Sequence, residues 1–306
     1  MRYKLYAITL ILLMVYVKLF SQNTADSYFK SAKLNTDKGL LNEAILDYTK
    51  AIEIMPNYAE AYLNRGFIKD ELNDFEGAII DYTKAIELKP NFLEAYYNRG
   101  VSNYKINKYK DAINDFTQTL IINPSFIDVH EYLGLVYMDS QNYKDAISEF
   151  TILIKHNSNN KEAYYHRGNA YTYLELDSIA IFDFNKAISI DSNYFDVYLS
   201  RGYAEFNIEE YMKALNDYNK AIKLKFDSET AYFNRGLIKL HFDNLEEAII
   251  DFTKAIGFNP NYGSAYFYRT NSQFKLSNIK EACEDWKKAS ELGNTNANNL
   301  ILKYCN

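Results

Sequence analysis

The sequence predicts an all-α protein built from consecutive copies of one helix pair. Three observations predict it: a period of 34 residues, recurrent small residues and recurrent aromatic residues at fixed positions. Self-similarity at such a period indicates an array of supersecondary units that stack to bury a continuous core. Numbered from Ala25, the chain gives eight repeats at 25–58, 59–92, 93–126, 127–160, 161–194, 195–228, 229–262 and 263–293.

Each repeat contains two segments with apolar residues at helical spacing, at positions 1–14 and 18–31. Position 24 is aromatic in every repeat: Tyr48, Tyr82, Phe116, Phe150, Phe184, Tyr218, Phe252 and Trp286. Position 8 is glycine in six repeats, at Gly66, Gly100, Gly134, Gly168, Gly202 and Gly236. A glycine inside a helix costs roughly 0.5–1 kcal/mol relative to alanine, so its recurrence indicates a close packing contact. All four prolines fall at position 32, where they end the second helix.

Residues 1–21 differ from the repeats and predict a signal peptide. Arg2 and Lys4 precede an apolar run from Leu5 to Val17, and polar sequence begins at Gln22 after Ser21. A basic start, a short apolar run and a small residue describe a secretory signal, with cleavage expected after Ser21. The alternative is a retained membrane anchor formed by residues 5–17. An exported protein, in the periplasm, cell envelope or medium, is therefore expected.

The array resembles the tetratricopeptide repeat family over about residues 25–292, through its 34-residue spacing, its small residues, its aromatic residues and its prolines. The resemblance implies a right-handed superhelix of eight antiparallel helix pairs whose first helices line a concave groove that binds peptides or protein segments. The segment from Glu281 to Cys305 is similar to the end of exported bacterial repeat proteins of this type.

The chain departs from the family at position 7, where six repeats carry Arg65, Arg99, Arg167, Arg201, Arg235 and Arg269. The same six repeats carry aspartate at position 23, namely Asp81, Asp115, Asp183, Asp217, Asp251 and Asp285. The joint recurrence predicts a ladder of arginine–carboxylate pairs. The spacing leaves open whether each arginine meets the aspartate of its own repeat or of a neighbour.

Repeats four and five contain departures from the pattern. Repeat four has His130, Leu133, Glu149, Leu153 and Ser158 at the characteristic positions, and repeat five has Asp177 at an apolar position. Ordinary repeat drift accounts for these changes, and a bend or a specialised patch is the alternative.

A capping helix is predicted over residues 294–306, because the last repeat has no following neighbour to cover it. Cys283 lies ten residues before the turn near Gly293 and Cys305 lies twelve after it, so antiparallel helices place them at similar height. In an oxidising compartment they are expected to form a disulfide. The alternative is one buried cysteine and one free terminal thiol.

The resemblance implies that positions 2, 5, 6, 9, 12 and 13 face a ligand. Position 2 is acidic in the first six repeats, which gives the expected groove an acidic edge. No repeat has the lysine and asparagine with which some family members hold a chaperone's terminal carboxylate. The candidate peptide-binding residues are Leu63, Asn64, Phe67, Tyr97, Asn98, Tyr132, Tyr165, His166, Asn169, Phe233 and Asn234, for which packing between helices is the competing role.

The composition and the motifs favour a non-catalytic scaffold. The net charge of −6 argues against a nucleic-acid partner. The four histidines show no zinc-type pairing, and no phosphate loop or nucleophile elbow occurs. We expect no cofactor and no metal, and a protein or peptide partner that is neutral or basic. The alternative function is a self-associating structural or assembly protein of the envelope.

Overall fold

In the computed structural model, which describes residues 2–305, the chain consists of helices joined by short turns and contains no strand within that range. The side chains of residues 2–9, 18 and 19 lie outside the described part. The predicted signal peptide falls partly on these residues and stays a prediction. None of the described helices combines the length and the apolar character needed to cross a membrane.

The described helices occur in consecutive pairs followed by one last helix. The first helices of the eight repeats are α1 Arg2–Asp37, α3 Ala59–Glu71, α5 Leu93–Lys105, α7 Val129–Asp139, α9 Lys161–Tyr173, α11 Phe195–Asn207, α13 Glu229–His241 and α15 Gly263–Lys275. The second helices are α2 Leu41–Ile54, α4 Phe75–Leu88, α6 Tyr109–Ile122, α8 Tyr143–His156, α10 Asp177–Ile190, α12 Tyr211–Leu224, α14 Leu245–Phe258 and α16 Ile279–Glu291. The predicted cap is α17, Asn296–Tyr304.

The chain divides into two compact units, an N-terminal unit up to Asn142 and a C-terminal unit from Tyr143. The boundary falls within repeat four, between α7 and α8. Helix α7 begins at Val129, two residues later in the repeat than the other first helices from α3 onward. The departures in the sequence of repeat four therefore coincide with a change in structure.

The recurrent glycines make room for the aromatic ring at position 24 of the same repeat. A Cβ atom added at Gly66 would lie 2.8 Å from the ring of Tyr82, and one at Gly236 would lie 2.7 Å from the ring of Phe252. Such separations are shorter than van der Waals contact, so only glycine fits without movement. The rings of Tyr82 and Phe252 are fully buried in return.

Each helix pair turns at position 15, where the backbone is left-handed. Gly39 occupies this position in repeat one, but repeats two to eight carry other residues there: Asn73, Asn107, Gln141, Glu175, Glu209, Asp243 and Ser277. The following amide caps the first helix, as when Asp74 N donates to Lys69 O at 2.8 Å. The turn therefore depends on this hydrogen bond rather than on a recurrent glycine.

The predicted arginine–aspartate ladder is confirmed, and each arginine binds the aspartate of its own repeat. Arg65 donates from Nε and Nη2 to Asp81 at 2.9 and 2.7 Å, and its Nη1 donates to Thr49 Oγ1 of the preceding repeat at 3.0 Å. The same geometry holds in the other five repeats that carry the pair, with threonine or asparagine as the third partner. The arginine side chain also lies over the position-4 tyrosine of its own repeat, such as Tyr62. One side chain thus joins both helices of a repeat to the repeat before it.

Position 11 supplies a further group to the buried aspartate. Lys69 Nζ lies 2.8 Å from Asp81 Oδ2, Lys239 Nζ lies 2.9 Å from Asp251 Oδ2, and Asn103 donates to Asp115 at 3.1 Å. Repeat six carries Glu205 here. Burial, followed by the negative charge of Asp217, raises the pKa of Glu205 to about 7.

The C-terminal end is closed by the cap and the two cysteines. Cys283 on α16 and Cys305 after α17 form a disulfide with their Cα atoms 5.5 Å apart. Trp286, Phe274 and Tyr304 pack beside it, with centroid separations of 4.7–6.0 Å. The cap therefore covers the position-24 aromatic residue of the last repeat.

Candidate functional site

The candidate groove residues are divided between the two units. Leu63, Asn64, Phe67, Tyr97, Asn98 and Tyr132 lie in the N-terminal unit, and Tyr165, His166, Asn169, Phe233 and Asn234 lie in the C-terminal unit.

In the N-terminal unit, several candidate residues already contact other groups of the protein. The ring of Tyr97 lies 5.1 Å from Phe126 and 5.7 Å from Tyr132, within one aromatic cluster. Asn64 Nδ2 donates to the carbonyl of Glu60 on its own helix at 2.6 Å. Phe67 is the exposed candidate in this unit, at 45% of its surface. Replacement of Tyr97 by alanine would consequently disturb the core of this unit.

In the C-terminal unit, Tyr165, Asn169 and Asn234 come together in one cleft of about 1020 Å³. The cleft is formed by the first helices of repeats five, six and seven and by the turn after α9. Its remaining lining residues are Thr172, Tyr173, Glu175, Asp177, Leu199, Ser200, Tyr203, Asn207, Ile208 and Thr230. Most of them occupy repeat positions 2, 5, 6, 9, 12 and 13, where a ligand was expected.

The other two candidates of this unit are partly buried and pack against neighbouring rings. The ring of His166 stacks on Phe150 at 5.4 Å and meets Tyr165 at 5.1 Å. Phe233 packs against Tyr262 at 4.8 Å and against Tyr268 at 5.7 Å. Neither of them lines the cleft.

The cleft has aromatic walls and a negative charge. Tyr173 and Tyr203 are 63% and 51% exposed, so their rings are available for contact. Glu175 and Asp177 are acidic, and among the described residues that line the cleft none is lysine, arginine or histidine. The surface therefore matches a ligand with apolar groups and positive charge.

Asp177 is the residue of this cleft whose role the sequence did not indicate. It is only 7% exposed, and its Oδ2 accepts a hydrogen bond of 3.3 Å from Asn207 Nδ2. Its Oδ1 has no hydrogen-bonding partner at normal geometry, and the same holds for the adjacent Thr172 Oγ1. Burial raises the pKa of Asp177, and the neighbouring Asn207 amide and Thr172 hydroxyl oppose that rise. The signal available in the sequence was an acid at an apolar repeat position.

No group of three or more metal-binding side chains occurs within the described part of the chain. The cleft is lined by hydroxyl, amide and carboxylate groups. Its arrangement is suited to holding a segment by contact and hydrogen bonding.

Family models match most of the repeat array. A model described as TPR repeat matches residues 32–69, 71–107 and 202–240. Models described as tetratricopeptide repeat match residues 93–126, 133–174, 161–194 and 229–262. Comparison with curated protein sequences finds no match.

Solved structures share the fold. A tetratricopeptide repeat protein from Parabacteroides merdae is 22% identical with a TM-score of 0.61, over 82% of this chain and 99% of that chain. The C-terminal part of a TPR repeat-containing protein from Cytophaga hutchinsonii is 18% identical with a TM-score of 0.66, over 78% and 97% of the two chains. YrrB, described as a TPR protein with an unusual peptide-binding site, is 27% identical with a TM-score of 0.54, over 60% of this chain and 95% of that chain. Tetratricopeptide repeats generally mediate protein or peptide binding, and by its repeats and its fold this chain belongs to the tetratricopeptide repeat family.

Proposed function

We propose that this protein is a non-catalytic scaffold that binds an extended peptide or protein segment in the cleft of its C-terminal unit. The observation that carries the proposal is the coincidence of one large cleft with the repeat positions expected to face a ligand. The likeness to YrrB supports it, because that structure is described as having a peptide-binding site. Backbone groups of an extended segment would meet Asn169, Asn207 and Asn234, while its side chains would meet the tyrosines.

The test is selection of peptides from a randomised display library on the purified chain lacking residues 1–21. Tyr203→Ala should reduce binding of the selected peptides without unfolding the chain, because Tyr203 is half exposed. Phe182→Ala is the matched control, since Phe182 is 59% exposed and lies outside the cleft. Equal binding by both variants, or no selected peptide at all, would count against the proposal.

We also propose that the protein acts in the cell envelope or outside the cell. The signal-like segment 1–21 supports export, and so does the use of both cysteines of the chain in one disulfide. The mass of the protein isolated from its own cells tests this. Loss of residues 1–21 and resistance of the thiols to alkylation before reduction are expected, whereas a full-length, fully reduced chain would contradict it.

Self-association is the second candidate function. Apolar side chains at position 22 are exposed in both units, with Ile80 at 67% and Ile250 at 59%. Light scattering of the mature chain over a range of concentrations tests it, and a monomer at high concentration would rule it out.

A further inference from the structure

The inference concerns position 17 of the repeat, the first residue of each second helix. This position is apolar or aromatic in seven repeats, namely Leu41, Phe75, Tyr109, Tyr143, Tyr211, Leu245 and Ile279, and it is Asp177 in repeat five. Conflicts with a local pattern concentrate at functional sites, because selection retains them against their cost in stability.

In the C-terminal unit, the aromatic residue at position 17 covers the end of the first helix of the next repeat. Tyr143 of repeat four stacks on Tyr173 with ring centroids 4.8 Å apart, and Tyr211 of repeat six meets His241 at 4.2 Å. The equivalent pair of repeat five is Asp177 with Asn207. Two rings are therefore replaced by a small carboxylate and an amide, and both line the cleft.

This replacement leaves a buried carboxylate without a cation. Asp177 is more than nine-tenths buried, and Asp177 Oδ1 accepts no hydrogen bond at normal geometry. A buried carboxylate is costly unless it is paired and hydrogen-bonded. Asn207 Nδ2, which donates to Asp177 Oδ2, is 3.3 Å away, which is at the long end of hydrogen-bond distances, and Asn207 is itself exposed. An incoming cation can displace this amide and take its place.

The surroundings favour a guanidinium over an ammonium group. The tyrosine rings of residues 165, 173 and 203 line the same cleft, and a planar guanidinium both stacks on aromatic faces and binds a carboxylate through two nitrogens. Glu175 adds a second negative charge at the cleft, while Asp196 is exposed on the same face of α11 as Leu199 and Tyr203.

We propose that Asp177 anchors an arginine side chain of the bound segment, so that the ligand is a basic peptide or protein segment. The proposal rests on the proposed function, since it names the chemistry of the segment that the cleft would hold. In repeat five, recognition of a positive charge thus replaces the ring packing that the position-17 residue makes in repeats four and six.

The experiment compares peptide pools selected by the wild-type chain and by Asp177→Asn, which removes the charge and keeps the shape. The wild-type pool should be enriched in arginine at one position and the variant pool should lose that enrichment. For a peptide from the wild-type pool, replacing its arginine by citrulline should weaken binding to the wild-type chain about 10- to 100-fold. The same replacement should change binding to Asp177→Asn by less than about threefold, because the two groups act as a pair.

Asp177→Tyr gives an independent measurement. It restores the residue type of repeats four and six, so the chain should unfold at an equal or higher temperature while peptide binding is lost. A wild-type pool without basic enrichment, or a citrulline replacement that weakens binding to Asp177→Asn as much as binding to the wild-type chain, would overturn the arginine anchor and leave peptide binding intact. Failure of the wild-type chain to select any peptide would overturn both proposals.

Discussion

Repeats six and seven hold the same arginine–aspartate pair, and they differ in the residue beside it. In repeat seven, Asp251 binds Arg235 at 2.6 Å and Lys239 at 2.9 Å. In repeat six, Asp217 binds Arg201, but Glu205 occupies the place of the lysine and lies 3.9 Å from Arg201. The comparison shows that the pair sets the packing of a repeat, while position 11 decides whether the buried charges balance.

The largest effect is expected from removing the aspartate of repeat seven. Asp251→Asn removes the carboxylate that binds Arg235 and leaves Lys239 with only the exposed Glu247, at 3.2 Å. Breaking a buried pair in this way costs about 3–5 kcal/mol. Urea unfolding followed by circular dichroism measures the loss, and hydrogen exchange in α13 and α14 locates it. Asp217→Asn should cost less, because Glu205 can ionise and accept from Arg201. Equal losses in the two repeats would contradict this account.

The glycines of both repeats should respond alike. Gly236→Ala places a Cβ atom 2.7 Å from Phe252, and Gly202→Ala places one 2.9 Å from Tyr218. Overpacking of this kind costs typically about 1–3 kcal/mol. Gly257→Ala is the control within α14, since its Cβ atom would meet nothing within 4 Å. Thermal unfolding should show a loss for the first two and a gain of roughly 0.5 kcal/mol for the third.

Glu205→Lys should make repeat six resemble repeat seven and raise the free energy of unfolding by about 1–2 kcal/mol at neutral pH, after allowance for solvent screening. The direction in which stability changes with pH follows from the pKa of Glu205 in the folded chain. The folded pKa of about 7 lies above the ordinary value of 4.5, so protonation is favoured in the folded state. The stability that Glu205 contributes is complete below pH 4.5 and is lost as the pH rises through 7. Unfolding titrations of the wild-type chain and Glu205→Gln should therefore diverge across this range, and parallel curves would refute the shift.

The smallest effect is expected at the turns of the two repeats. Glu209 has φ of 64° and Asp243 has φ of 56°. Glycine adopts this conformation without strain, so Glu209→Gly should gain about 0.5–1 kcal/mol. Asp243→Gly should gain nothing, because aspartate tolerates the conformation better and Asp243 binds Lys275 at 2.6 Å. Differential scanning calorimetry of the two variants would resolve the difference, and a larger gain at Asp243 would contradict it.

Periodic features of this chain could be predicted from the sequence, because a recurrence of eight copies averages out local exceptions. The helix pairs and the arginine–aspartate ladder belong to this class. The third contact of each arginine, to Thr49 or its equivalents, was not predicted, since the choice between neighbouring repeats depends on how two repeats stack. The turns at position 15 were also missed, because Glu175 and Gln141 have no propensity for left-handed backbone.

The candidate site, in contrast to these periodic features, could be predicted from the sequence only in part. Position numbers alone selected Tyr165, Asn169 and Asn234, which line one cleft. They also selected Tyr97 and Phe233 by the same rule, and both of these are held in aromatic clusters. Whether a ring faces a ligand or a neighbouring helix depends on the residues around it. Asp177 stood out as an exception in the sequence, yet only the structure places it beside the cleft.

The disulfide affects the order in which the repeats unfold. A stack of repeats frays from its ends, where each repeat has one neighbour instead of two. The bond between Cys283 and Cys305 spans 22 residues and joins α16 to the residue after α17, so these two helices cannot separate from the array one at a time. Fraying of the oxidised chain should therefore start elsewhere, and reduction should make the C terminus a second starting point.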